Sequence, residues 1–125
     1  MRSKQGFSII EVLVATTVMA VGLAALAQLF ALSVGVNTRA RHTTMATVLA
    51  RQKIEELRAE PGALEHSPPG ALEHDTPGFY DVVDRRYHRR WSIDAMPSNP
   101  DAVVLQVFIV DHGIRLLSVK TPRTP

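Results

Sequence analysis

A single charge interrupts the first apolar stretch of this sequence, and it is a carboxylate. Glu11 is the only charged residue between Lys4 and Arg39. An ionised side chain inside a bilayer helix costs on the order of 2.5–3.5 kcal/mol on insertion scales, so it normally marks a function and has a partner. The competing reading puts Glu11 at the headgroup level, solvated and without a role. Two further groups of residues invite chemistry. His66 and His74, with Glu65, Glu73 and Asp75, are competent zinc ligands by type. They lie in proline- and glycine-rich chain and match no recognised ligand spacing, so no metal site and no cofactor are expected. The stretch Arg85-Arg86-Tyr87-His88-Arg89-Arg90-Trp91 interleaves four arginines with two aromatics. Such a composition can follow a nucleic-acid backbone and stack bases, with Arg85, Arg86, Arg89, Arg90 and Trp91 as the contacts. The preferred reading is structural: the arginines guard an edge strand against pairing while the aromatics face the core.

No catalytic constellation accompanies these residues. The chain has no cysteine, which excludes a disulfide framework, a thiolate metal site and a cysteine nucleophile. Its serines lack a nucleophile-elbow context and no glycine-rich phosphate loop occurs. An enzyme is therefore not expected. The balance of 14 basic against 12 acidic side chains hints at an anionic partner. Without Arg2 and Lys4, however, 14 − 2 leaves 12 against 12, and the chain is neutral.

The elements that must carry these residues follow from periodicity. Val12 to Thr38 is free of charge for 27 positions, more than the roughly 20 that span a bilayer as helix. Arg2 and Lys4 precede it, so the positive-inside bias places the N-terminus in the cytoplasm and the chain beyond about Arg39 outside. A secretory signal peptide competes, because Ala25-Leu26-Ala27 before Gln28 has the form of a signal-peptidase site. Glu11 would interrupt its apolar region, and apolar residues run on through Leu29, Phe30, Leu32 and Val34. No proline occurs between Met1 and Glu60, so one helix is expected from Phe7 to about Arg58. Ala20, Ala24, Ala27, Ala31 and Gly35 put small residues at helical spacing, which lets helices approach closely or simply raises helix propensity. Beyond Arg39 the pattern becomes amphipathic. Ala46, Leu49, Ala50, Ile54 and Leu57 form the inward face, with Arg51, Lys53, Glu55, Glu56 and Arg58 mostly off it.

Pro61 biases Glu60 away from helical angles and ends the helix. Pro-Gly recurs at 61, 69 and 77, and Gly-Ala-Leu-Glu-His occurs twice. The segment reads as a local duplication in an extended, exposed loop. Strand signals follow. Tyr80 to Val83 is a possible short strand, and Tyr87, Trp91 and Ile93 alternate with His88, Arg90 and Ser92. Ala102 to Val110 is rich in β-branched residues, and Ile114 to Val119 follows the turn Asp111-His112-Gly113. The expected fold class is α+β: a long N-terminal helix packed on three or four antiparallel strands. Its segments are a leader at 1–6, an apolar helical half at 7–38, an amphipathic half at 39–60, a loop at 61–79 and a β region at 80–125.

The run Gly6-Phe7-Ser8-Ile9-Ile10-Glu11-Val12, with a short basic leader before it and a long apolar helix after it, resembles the cleavage and methylation site of type IV prepilins and type II secretion pseudopilins. The resemblance implies that a prepilin peptidase cuts after Gly6 on the cytoplasmic side and methylates the new amine of Phe7. Glu11 would then pair with the N-terminal amine of a neighbouring subunit during assembly. Major pilins commonly bear a proline in the apolar half of this helix, and this chain has none. The pattern Leu49-Ala50 with Ile54-Glu55 and Leu57-Arg58, the terminal hairpin and the Thr121-Pro122-Arg123 tail are similar to minor pilins of the PilV type and to minor pseudopilins. The resemblance implies a structural subunit in the inner membrane and then in a pilus or pseudopilus fibre, with prepilin peptidase and other pilins as partners. A single-pass anchored or secreted binding domain that never polymerises is the alternative.

Overall fold

The computed structural model describes residues 6–121, so Arg2 and Lys4 of the leader and Pro122 and Arg123 of the tail lie outside the described residues. The order of elements is helix α1 (Ile9–Ala59), strands β1 (Tyr80–Val83), β2 (Tyr87–Met96) and β3 (Asn99–Ile109), a 3-10 turn at Val110–His112, and strand β4 (Ile114–Lys120). The chain divides at Ala40 and Arg41 into two compact units.

The first unit is the apolar part of α1. Its large side chains are exposed on every side, including Leu23 at 62% and Phe30 at 73%. A helix that is apolar all round must be covered by lipid or by other helices. Its threonine hydroxyls are satisfied within the helix. Thr16 Oγ1 donates to Val12 O at 3.0 Å, Thr17 to Leu13 O at 2.7 Å and Thr38 to Val34 O at 3.0 Å. Side chains that bond back to their own turn remove a cost that hydrocarbon would otherwise impose.

The second unit, from Arg41, lays the remainder of α1 on a four-stranded sheet of order β1-β2-β3-β4, antiparallel throughout. Registers of Ile109 with Arg89 and Ile114, Val107 with Trp91 and Leu116, and Leu105 with Ile93 and Ser118 place one side chain per strand on the helix-facing surface. Leu105, Val107 and Ile109 are completely buried there, as are Ala46 and Ala50 of the helix. Alanines at the contact let the helix backbone approach the sheet closely. The expected inward face of Ala46, Leu49, Ala50, Ile54 and Leu57 is observed in full, with one addition. Lys53 is also buried, its Nζ 4.0 Å from the Trp91 ring centroid and 3.0 Å from Glu56 Oε1. Its stem packs on the core while its charge leans on a ring and a carboxylate.

The helix stops at Ala59, and Lys120 at the end of β4 closes it. Its Nζ donates to Leu57 O at 3.2 Å and to Glu60 O at 2.6 Å, supplying a cation to carbonyls at the negative end of the helix dipole.

The loop after the helix is more closely held than its composition suggests. Strand β1 is only four residues long, which leaves the β1-side edge of β2 open beyond Arg90. The loop fills it: Phe79 O accepts from Trp91 N at 3.0 Å, Ser67 N donates to Ile93 O at 3.0 Å, and Ser67 Oγ accepts from Ile93 N at 3.0 Å. Ala71, in the second copy of the duplicated pentapeptide, is buried, whereas its counterpart Ala63 is exposed. Identical local sequence therefore takes two environments, set by what β2 offers each copy.

Two leucines on β3 and β4 test this assignment of faces. Leu105→Ala in the full chain in detergent should lower stability by about 3 kcal/mol, because a fully buried methyl cluster is lost into a packed site. Leu117→Ala, on the outer face at 63% exposure, should change it by less than about 0.5 kcal/mol. Denaturant titration followed by Trp91 fluorescence reads both.

Candidate functional site

Two groups of residues could carry function, and the structure separates them. At the N-terminus, Gly6 and Phe7 precede the helix and are exposed, Phe7 at 81%. A Cβ added at Gly6 would meet no atom within 4 Å, so nothing in the fold requires glycine there. The helix is started by Ser8, whose carbonyl accepts from Glu11 N at 3.0 Å and from Val12 N at 3.2 Å. Glu11 falls in the first helical turn, where a carboxylate is favoured by the helix dipole. That accounts for tolerance of the charge, not for its value in an apolar surface. Among the described residues Glu11 makes no ion pair.

The arginine-rich stretch is split by the fold into two pairs with different roles. Strand β2 is a central strand, so the expected guarding of an edge is corrected: its arginines face other parts of the chain. Tyr87, Arg89 and Trp91 share the buried face. Arg89 binds Asp81 of β1 through both nitrogens of its fork, Nε at 2.7 Å from Oδ1 and Nη2 on Oδ2, while Nη1 donates to Leu49 O of the helix at 3.1 Å. A guanidinium can be buried this way because its fork matches a carboxylate and its third nitrogen finds a carbonyl. On the opposite face Arg90 gathers the loop: Nε donates to Asp75 Oδ1 at 2.8 Å and Nη1 to Glu73 O at 2.8 Å. His88 Nε2 also lies 2.9 Å from Asp75 Oδ1.

Arg85 and Arg86, by contrast, are exposed in the β1–β2 turn. Asp84 and Arg85 have φ of 52° and 55°, and Arg86 N donates to Val83 O at 3.1 Å. Tyr87 and Trp91, the aromatics that would stack bases, are both buried. The five residues considered for nucleic-acid contact thus form no common surface.

His66 and His74 are exposed, and Asp75 is engaged by Arg90 and His88. No cluster of three or more His, Cys, Asp or Glu side chains able to hold a metal occurs among the described residues. A histidine pair not anticipated from the sequence lies at the start of the second unit. His42 Nδ1 is 3.1 Å from Tyr87 Oη, and the His112 ring stacks on Tyr87 with centroids 5.2 Å apart.

An exposed glycine with no structural duty, an uncovered apolar helix and an acid without an ion pair among the described residues thus meet at the N-terminus. Residues 1–27 match the family model described as the prokaryotic N-terminal methylation motif. Over these residues the chain carries the N-terminal methylation motif of type IV prepilins and pseudopilins, and the helix that continues it is long and apolar enough to cross a membrane. No curated protein and no solved structure gives a significant match.

Arg89→Ala should cost about 2–3 kcal/mol, less than a fully buried pair because Asp81 retains contact with water. Arg85→Ala should stay within about 0.5 kcal/mol of the parent. Equal losses for the two variants in denaturant unfolding would refute the division of the cluster into buried and exposed pairs.

Proposed function

We propose that this protein is a minor pilin or minor pseudopilin, a structural subunit of a type IV pilus or of a type II secretion pseudopilus. It enters the inner membrane with its N-terminus in the cytoplasm, is cut by prepilin peptidase after Gly6 and is methylated on the amine of Phe7. The observation that carries this reading is the continuity of the methylation motif with an apolar helix whose one acid, Glu11, has no ion-pair partner among the described residues. Cleavage at Gly6 creates a cation four residues from that acid. In a low-dielectric fibre core a buried charge is penalised alone and compensated beside its opposite. Glu11 therefore selects positions in which a neighbouring subunit's amine lies alongside it, and so sets the register of assembly. The absence of proline from the apolar half of α1 and the Leu49 to Arg58 pattern favour a minor subunit of the PilV type over a major one.

Mass spectrometry of the intact chain and its N-terminal peptide, from cells with and without prepilin peptidase, tests the pathway. The expected product is a peptidase-dependent chain beginning at methylated Phe7. A chain that begins at Met1 in both, or is cut before Gln28, removes the proposal in favour of an anchored or secreted domain. Glu11→Ala should be processed normally yet enter fibres at least about ten-fold less, since loss of one partner leaves the other charge unpaired in the apolar core.

A further inference from the structure

We infer that the β1–β2 turn of the second unit is a headgroup contact, in which Arg85 and Arg86 bind the anionic phospholipid surface from which the domain emerges. The inference rests on the membrane-anchored reading above. Its first support is placement. The uncharged run ends in the sequence at Thr38, so the chain leaves the hydrocarbon within a few residues of Arg41 and His42. The 3.1 Å contact between His42 Nδ1 and Tyr87 Oη fixes the start of β2 beside that point. The turn Asp84 to Arg86 immediately precedes Tyr87, so Arg41, Arg85 and Arg86 share the end of the domain at which it joins its anchor.

Charge is the second support. Arg41, Arg85 and Arg86 are exposed and have no carboxylate within ion-pair distance among the described residues, whereas Arg89 and Arg90 of the same stretch are neutralised internally. The acids at the same end are Asp84 in the turn and Asp111, which accepts from His88 N, while at the end where α1 terminates Glu55 is paired with Arg58 and Glu60 and Asp101 are exposed. Juxtamembrane basic residues are attracted to an anionic leaflet within a Debye length, by an amount equivalent to roughly five-fold per arginine at low salt.

Conformation is the third. Asp84 and Arg85 both hold positive φ; aspartate is a common choice at the first of these positions, whereas Arg85 stands where glycine is the usual residue. The exposed Arg85 side chain at this turn tip is directed to solvent, where an external partner can reach it. Nucleic acid is the other polyanion such arginines could meet. It is disfavoured because the aromatics needed to stack bases are buried with the core.

The chain has no cysteine, so Val82→Cys, on the exposed face of β1 beside the turn, gives one labelling site for an environment-sensitive fluorophore. The full chain is reconstituted in phosphatidylcholine vesicles with or without phosphatidylglycerol, each containing a headgroup-linked quencher. The expected result is stronger quenching with phosphatidylglycerol, reversed by salt and absent from an R85S/R86S double variant that retains the parent near-ultraviolet circular dichroism. Together the two arginines should shift the bound population about thirty-fold at low salt. A chain that floats with vesicles but is quenched equally in both compositions, or equally in the double variant, overturns the headgroup contact and leaves the anchor intact. A chain that does not float overturns the anchor and this inference with it. Capture of a single-stranded oligonucleotide through the same two arginines, without any response to phosphatidylglycerol, assigns the turn to nucleic acid instead.

Discussion

The close approach of α1 to the sheet governs the second unit, and Arg89 holds it there. Ala46 and Ala50 contribute no bulk at the contact, so the helix backbone comes near enough for a strand side chain to reach the carbonyl of Leu49. Through one guanidinium, three elements are joined: β2 supplies it, β1 neutralises it with Asp81, and α1 accepts its remaining nitrogen. The short β1 has little else to fix it, since four residues give few ladder bonds and its outer side is solvated. A larger residue at Ala46 or Ala50 would lift the helix and strand the guanidinium. The small residues and the buried charge thus belong to one device.

The same helix meets another demand in its first part. There the backbone is self-satisfied and the threonine hydroxyls bond inward, so its surface presents hydrocarbon to its surroundings. Packing inside the chain gives this surface no cover, which is why its composition makes sense only with lipid or neighbouring helices around it. Glu11 is the exception within that surface, and the helix dipole at its own N-terminus offsets only part of the cost of burying it. In the proposed fibre a cation from outside the helix compensates that charge, and the amine that cleavage after Gly6 would form at Phe7 is such a group.

The features readable in the sequence were those with a period. The apolar run, the inward helical face, the strands and the glycine-ended turn before β4 all repeat at 3.6 or 2 residues or carry turn chemistry, and all are present. The pairings made across space were hidden. Arg89 was grouped with charged residues by composition, although its parity with Tyr87 and Trp91 puts it on the core face, and Asp81 stands opposite it once the turn at 84–86 is recognised. The charge of Lys53 argues for an outward side chain, but its position between Ala50 and Leu57 lies within the buried stripe. Ser67 and Asp75 had no periodic signal at all. Ser67 is structural because β1 is short and leaves the backbone of Ile93 unpaired, and Asp75 because it meets the Arg90 and His88 side chains on the outer face of β2.

This explains why the arginine-rich stretch resists a single interpretation. A strand exposes alternate side chains to opposite faces, so four arginines within seven residues cannot act as one patch once the strand is central. Arg89 is taken by the helix side and Arg90 by the loop side, and each draws a carboxylate of its own from sequence far away. Only residues that precede the strand, in the turn, escape this partition. The turn is exposed and its charges are not drawn into the packing, so the cations there face outward. Composition concentrated the charge, and the pleat of one strand decided which of it stabilises the fold and which is left for a partner.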